Sequence, residues 1–399
     1  MSRHRNKYTV LAACTIAMFA AGMNYIWSVF QVPVMQYFGV SSSAASGVFY
    51  LFVTFNTIGI FTGGRLYDRI GTKIPLIIGC SFFLGGLFGC SFVPQDKFFL
   101  LYLTYSVLLS FGSGLIYVTS TSCAQKWWPE KKGFASGVVL SMLGISTLVF
   151  TPIINMLIKG DSSRVPMTFK VLGIAFSIIL VAALPMIRNP ESSDQNKSIV
   201  LKNGERGRES IVLFILKHKS YYLLFICTVV ESIGYYTINP LAKILGAERG
   251  LSETIIVYMI MCSGIASALG RIFCGKLSDV IGSRNMFSLL FITSIISIIC
   301  LAFAQNIAFF CFVTLLTFAF GGFAGISPSL GVDYFGGENV GTVISMLSIA
   351  VLTSSFLSPV ITNMLASDNG SLTIYNYFGC AILLSVGFVL SRINRLPGK

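Results

Sequence analysis

Two long stretches of this chain carry no charge. Residues 8–64 and 285–332 contain no Asp, Glu, Lys or Arg. A helix that crosses a bilayer needs about 20 mostly apolar residues, so each stretch has room for two crossings. Extended along the whole chain, the same reading predicts about twelve spans. They cover residues 8–34, 44–66, 74–94, 98–124, 134–159, 167–187, 220–246, 253–276, 285–304, 306–330, 340–365 and 371–391. Between spans six and seven the pattern changes. RNPESSDQNKSIVLKNGERGRES, residues 188–210, is polar and charged and reads as a flexible linker. IVLFILKHK, residues 211–219, is too short to cross and reads as an interfacial helix leading into span seven. The expected organisation is a six-helix bundle over 1–187, a linker over 188–219 and a second six-helix bundle over 220–399.

Composition narrows the class. The chain of 399 residues is 54% hydrophobic and 11% charged, with a mean hydropathy of +0.79. Soluble domains carry about 25% charged residues, so an all-α membrane protein is expected. MSRHRNK is basic, but the apolar run behind it is too long for a cleaved leader, and it reads as a retained first span. The net charge of +13 could suggest nucleic acid, but its placement argues against that. With the N-terminus inside, 21 Lys and Arg fall on the inner side and six on the outer. The positive-inside rule therefore puts both termini in the cytoplasm and makes the charge a topology signal. The ten cysteines sit in or beside apolar runs with neither metal-ligand nor disulfide spacing. They read as helix-packing residues, and no cofactor or metal is expected.

The two halves repeat. IGIFTGGRLYDRIGTK (58–73) aligns without gaps with LGRIFCGKLSDVIGSR (269–284), keeping Gly64/Gly275, Asp68/Asp279, Gly71/Gly282 and the basic pair Lys73/Arg284. TPIINML (151–157) resembles SPVITNML (358–365), and LSFGSG (109–114) resembles TFAFGG (317–322). Duplicated halves with a substrate site where they meet are a common architecture of secondary transporters. The repeat alone makes transport the leading expectation. One pair breaks it: Ile60 in the first copy stands where the second has Arg271.

G-x-L-x-D-R-x-G-x-K, here Gly64, Leu66, Asp68, Arg69, Gly71 and Lys73, resembles the signature of the major facilitator superfamily. Within it the chain looks like the oxalate/formate antiporter and monocarboxylate transporter branch. The supporting stretches are NYIWSVF (24–30), KWWPEKKG (126–133), the span-eight element Gly270–Arg271 to Asp279, and FGG with PSL and YFG over 320–336. The resemblance covers essentially the whole chain. It implies the major facilitator fold, twelve transmembrane helices in two pseudo-symmetric bundles. It also implies that Arg271 pairs with a substrate carboxylate and that Tyr117 contacts substrate. The branch's proton-coupled members often place an aspartate four residues before the arginine, and this chain has Ser267 there.

Two charged residues lie well inside expected spans, Arg271 and Glu231. A charge there costs about 2.5–3.5 kcal/mol or more, so such residues usually face the bundle interior. The guanidinium of Arg271 offers a planar fork that fits a carboxylate and keeps its charge. Its expected role is anion anchor. The alternatives are an ion pair with Glu231 or a side chain reaching toward the headgroups. Glu231 shares a four-residue stripe with Cys227, Tyr235 and Asn239. Desolvation favours a protonated carboxyl and a nearby arginine an ionised one, so Glu231 is the candidate proton-coupling site with Arg271. It could instead be a fixed counter-ion or a protonated hydrogen-bond donor. Tyr117, flanked by Ser113 and Thr121, makes a second polar face; Asn24, Ser28 and Gln31 line span one. Tyr117, Asn24, Gln31 and Tyr235 are candidate substrate contacts, with ordinary helix packing as the alternative. Gly64, Asp68, Arg69, Gly71, Lys73, Gly275, Asp279, Gly282 and Arg284 read as a gating motif. There Asp68, near Arg65, Arg69 and Lys73, can reach a neighbouring helix N-terminus. Val280 in place of Arg69 suggests a looser second lock.

The oxalate carriers of the resembled branch have a lysine in span eleven, whereas residues 339–367 hold no Lys or Arg here. One intramembrane cation balances one carboxylate. The expected function is therefore secondary transport of a monocarboxylate such as lactate, pyruvate, formate or acetate. Alternating access with proton symport is the first reading. Organic anion exchange (antiport) is the second, and a membrane sensor without transport the rival from another class. No catalytic or phosphate-binding motif suggests an enzyme. The expected partners are a small carboxylate, protons and the lipid bilayer of a cell membrane, with the chain working as a monomer.

Overall fold

The computed structural model describes residues 6–190, 211–365 and 373–393, and among these residues the structure is helical with no strand. The helices are α1 (Lys7–Ala21), α2 (Trp27–Phe38), α3 (Ser42–Ile70), α4 (Lys73–Ser91), α5 (Phe99–Trp127), α6 (Lys132–Ile158) and α7 (Val165–Ala183). After the linker come α8 (Ile211–Lys217), α9 (Lys219–Ile238), α10 (Ala242–Glu248), α11 (Glu253–Ile281), α12 (Ser283–Phe303), α13 (Asn306–Phe335), α14 (Val340–Leu365) and α15 (Ile374–Ile393). Among the described residues, 11 helices are long and apolar enough to cross a membrane. Most of the expected linker, 191–210, lies outside the described residues.

The remaining expected span, 8–34, is not one continuous helix. α1 ends at Ala21, a 3₁₀ turn covers Gly22–Ile26, and α2 resumes at Trp27. Gly22 weakens the helix and lets Ser146 of α6 pack where a Cβ would stand. Span seven, expected to 246, stops at Ile238; Asn239–Leu241 form a 3₁₀ turn before α10. Pro240 explains this, since a proline lacks the N–H that would continue the helix. Within α5, Tyr102–Leu109 take the wider π form.

Cα packing divides the chain into two compact units. Unit 1 comprises Met1–Pro129, Met142–Arg208 and Glu338–Ser345; unit 2 comprises Glu130–Ser141, Glu209–Gly337 and Met346–Lys399. Unit 1 thus includes the opening turns of α14, and unit 2 those of α6.

In unit 1, α3 and α5 meet through glycine. A Cβ on Gly59 would strike the Phe111 carbonyl, and one on Gly114 the Asn56 carbonyl. Unit 2 repeats both contacts between α11 and α13, Gly270 against Phe318 and Gly321 against Ser267. The equivalent of Gly114 is therefore Gly321, one residue away from the pairing that LSFGSG and TFAFGG suggest. Close backbone approach, rather than the identity of neighbouring letters, sets the register.

The repeated carboxylates do the same work in each unit. In unit 1, Asp68 accepts from the backbone N–H of Gly341 (3.2 Å) and Thr342 (2.7 Å), at the start of α14. In unit 2, Asp279 accepts from Gly133 and Phe134, both at 2.9 Å, at the start of α6. Each satisfies donors that a helix N-terminus leaves open, and the helix dipole favours the negative charge. Gly64 and Gly275 permit the approach; a Cβ on either would overlap the backbone of Gly341 or Gly133. Gly71 and Gly282 close the preceding helices at φ 83° and 86°, where a side chain would be strained.

Asp68 makes no ion pair with Arg65, Arg69 or Lys73 among the described residues. The cation within electrostatic reach of it is Lys126, which also lies over the Tyr67 ring at 4.8 Å. The expectation of a looser second lock does not extend to the cap, because Asp279 holds as many backbone donors as Asp68. Val280 is simply exposed. Unit 2 adds a Lys132–Asp333 ion pair at 3.4 Å and a Ser283 hydroxyl on Asp333 at 2.7 Å.

Because the two caps are equivalent, Asp68→Ala and Asp279→Ala should cost similar stability, about 1–2 kcal/mol each. Thermal unfolding in detergent checks this. A silent Asp279→Ala beside a costly Asp68→Ala contradicts the equivalence.

Candidate functional site

Unit 2 holds both intramembrane charges, each on a different helix and with a different partner. Arg271 stands on α11 and is 2% exposed. Its Nη1 donates to the Ser267 hydroxyl one turn earlier at 2.8 Å, and its Nε has no hydrogen-bond partner. Its backbone is wedged between glycines. A Cβ on Gly137 would strike its carbonyl, and one on Gly325 of α13 would lie 2.9 Å from its Cα. The repeat explains the geometry. In unit 1 the Ile60 carbonyl, at the matching position, takes a hydrogen bond from Ser345 at 2.7 Å. The helices approach as closely in both units, and only unit 2 spends the space on a guanidinium.

Glu231 lies mid-way along α9 and is 2% exposed. The Ser294 hydroxyl of α12 donates to its Oε1 at 2.7 Å, while Oε2 has no partner. No ion pair joins Glu231 to Arg271. The ion pair named as one alternative for Arg271 is not formed in this structure. A buried guanidinium that no carboxylate neutralises is costly, and its fork is suited to a carboxylate brought by a ligand.

The stripe on α9 is shorter than expected. Cys227, Glu231 and Tyr235 are buried, but Asn239 has left the helix and is exposed. Tyr235 stacks flat on Phe320 of α13 at 3.8 Å, and Tyr236 meets the same ring edge-on at 5.7 Å. Gly321, next to Phe320, packs on Ser267. Tyr235, Phe320, Ser267 and Arg271 thus belong to one connected patch of α9, α13 and α11.

The other candidates belong to unit 1. Tyr117 is half-buried on α5. The hydroxyls flanking it are spent on backbone: Ser113 donates to Ala21 O at 3.1 Å and Thr121 to Tyr117 O at 2.8 Å. Gln31 is half-buried on α2, and the side chains of Asn24 and Ser28 lie outside the described residues. Arg69 and Lys73 are exposed at the ends of α3 and α4. Arg284 donates from Nε to Ser391 O at 3.4 Å and from Nη2 to Arg392 O, tying α12 to α15. Sequence reasoning missed Ser294 as the partner of Glu231, because one hydroxyl among Thr293, Ser294 and Ser297 carries no distinguishing signal. Phe320 and Gly325 had a signal, since both lie in the FGG…PSL stretch.

The pattern of the Major Facilitator Superfamily matches residues 12–221 and 224–398. This chain belongs to the major facilitator superfamily. Its relatives include the oxalate:formate antiporter of Oxalobacter formigenes, 26% identical over 332 residues, covering 82% of this chain and 77% of that one. The MFS-type transporter YhjX of Escherichia coli K12 is 24% identical over 344 residues, covering 84% of this chain and 82% of that one. Among solved structures, the fucose:proton symporter of E. coli superposes with a TM-score of 0.77 at 13% identity, covering 98% of this chain and 100% of that one. At that identity the likeness shows the fold alone. As a major facilitator the protein is a multi-pass membrane transporter of a small molecule.

The contact between Gly325 and Arg271 gives a test of the patch. Gly325→Ala should push the arginine out of place and slow transport by about tenfold or more, the effect of about 1.4 kcal/mol on the rate. Uptake into liposomes, with detergent unfolding confirming a folded variant, measures it. Parental uptake by Gly325→Ala contradicts a role for this packing.

Proposed function

We propose that this transporter carries a small monocarboxylate by alternating access, coupled to a proton. The observation that carries the reading is Arg271: buried, charged, bonded only to a neutral hydroxyl and with Nε idle. Such a fork supports recognition of one carboxylate. The lack of Lys and Arg over 339–367 supports a single negative charge on the substrate. Glu231 supplies the proton site. It is buried with one oxygen unpartnered, and it can be neutral or ionised without breaking an ion pair. Tyr235, stacked flat on Phe320 beside the arginine's helix, offers aromatic surface for the organic part of the substrate. The gating motif, with Asp68 and Asp279 on helix starts, lets the two sides of the cycle open and close.

A second reading, exchange of one organic anion for another, is favoured by the antiport activity named for the Oxalobacter relative. The same arginine serves both readings, and the experiment separates them. Purified protein in liposomes is offered labelled lactate, pyruvate, formate, acetate and oxalate, with and without an inward proton gradient. Gradient-driven accumulation of a monocarboxylate is the expected result. Uptake that requires an internal anion and ignores the gradient selects exchange, and oxalate uptake exceeding the monocarboxylates removes the one-cation argument. Arg271→Lys keeps the charge but loses the fork, so uptake should fall by about tenfold or more, given that hydrogen bonds to charged groups contribute about 1.5–3 kcal/mol. Near-parental rates in that variant remove Arg271 from the anchor role.

A further inference from the structure

The turn of α11 that carries Arg271 is fixed along its backbone. A Cβ on Gly321 of α13 would strike the Ser267 carbonyl, and one on Gly325 would lie 2.9 Å from the Arg271 Cα. The two glycines are one helical turn apart, as are the two residues they press on, so α13 holds both ends of this turn. Gly137 closes on the Arg271 carbonyl from α6. With the backbone so confined, the aim of the guanidinium depends on its own side-chain bonds.

One such bond is formed. Nη1 donates to the Ser267 hydroxyl at 2.8 Å, while Nε and Nη2 donate to nothing among the described residues. Ser267 uses its oxygen in an unusual way. Helix hydroxyls commonly bond the carbonyl one turn back, and in this unit Ser288, Thr293 and Thr317 all do so. Ser267 does not, and its one hydrogen bond among the described residues is to the arginine. The repeat shows a change of use. The matching residue in unit 1 is Asn56, because Gly114 presses on its carbonyl as Gly321 presses on that of Ser267. Asn56 reaches across to α5, donating from Nδ2 to Ser110 O at 3.1 Å. Unit 2 therefore differs from unit 1 at two positions one turn apart, Ser267 for Asn56 and Arg271 for Ile60. The two side chains that differ are bonded to each other.

A guanidinium presents its donors along edges. With Nη1 held, the edge on which neither donor is engaged carries Nε–H and Nη2–H side by side, and this pair matches the two oxygens of one carboxylate. We propose that Ser267 is the positioning residue of the anion site: its hydroxyl holds Nη1 and thereby offers the Nε–H and Nη2–H edge to the substrate carboxylate. The proposal rests on the reading of Arg271 as anchor. An idle donor on a buried charge is costly, so this edge gains most from a carboxylate laid flat against it. Ser267 is neutral, so it aims the arginine without cancelling the charge that attracts the anion.

Saturable uptake of labelled lactate, pyruvate, formate and acetate into proteoliposomes, measured across concentration, reads this role. Ser267→Ala removes the acceptor and little volume. It should raise KM about tenfold while kcat stays within about twofold, the pattern of lost binding. Ser267→Thr keeps the hydroxyl and should hold KM within about threefold of the parent. Ser267→Asp keeps an acceptor but neutralises the guanidinium, and should raise KM at least as much as Ser267→Ala. In the Arg271→Lys background, Ser267→Ala should add less than about twofold, because residues that act through one contact are not additive. Detergent unfolding confirms that each variant is folded. A parental KM in Ser267→Ala overturns the proposal, as does a fall in kcat alone, or an effect that multiplies with that of Arg271→Lys. A Ser267→Thr as weak as Ser267→Ala overturns it too, since packing rather than the hydroxyl then decides. Loss of uptake in Arg271→Lys beside an unaffected Ser267→Ala removes the positioning role and leaves the anchor standing. Near-parental uptake by Arg271→Lys removes both.

Discussion

Hydrocarbon offers no hydrogen bonds, so every charge inside a span needs a partner built by the protein or brought to it. That constraint orders this structure. Most of the bilayer-spanning surface avoids the problem by having no charge at all. The motif carboxylates meet it by sitting on helix starts, where backbone donors and the dipole stabilise them. Arg271 meets it with one serine hydroxyl and an idle Nε, and Glu231 with one serine hydroxyl and an idle Oε2. These two residues keep unused bonding capacity where the rest of the buried charge is satisfied.

Duplication explains why the exception is affordable. Gly59 and Gly270 press on Phe111 and Phe318, and Gly114 and Gly321 on Asn56 and Ser267, so the two units share one backbone scaffold. The scaffold does not depend on the side chain at the position of Ile60 and Arg271. In unit 1 the isoleucine carbonyl is held by Ser345; in unit 2 the matching carbonyl faces Gly137. Close backbone packing does the structural work, leaving the side chain open to change toward chemistry.

How much of this can be read from the chain depends on whether the cause is local. The uncharged runs at 8–64 and 285–332 reveal the spans because insertion depends on summed apolarity. Gly64, Asp68 and Gly71 reveal the helix caps because the motif and its copy are short and contiguous. The break at Gly22–Ile26 is less legible, since it needs Ser146 from a distant segment to press on Gly22. Pro240 did announce the end of α9, and counting apolar residues alone overran it. The correspondence of Gly114 with Gly321 in the repeat is hidden in backbone contacts that letters do not record. Ser294 is invisible for the same reason: its role comes from the face α12 turns to α9.

The separate partners of the two charges bear on how they communicate. An ion pair between Glu231 and Arg271 would couple protonation to anion binding by direct attraction, and the structure has none. α13 touches both helices instead. Phe320 stacks on Tyr235, one turn beyond Glu231; Gly321 packs on Ser267, and Gly325 on Arg271 itself. These contacts are face-to-face or backbone-close, so α9 cannot rotate or α11 shift without moving α13. The Ser294 hydroxyl in turn ties α12 to α9 through Glu231. The stacked ring joins the helix that carries Glu231 to the one that packs on the arginine. A shared helix of this kind links the carboxylate and the guanidinium without any bond between them.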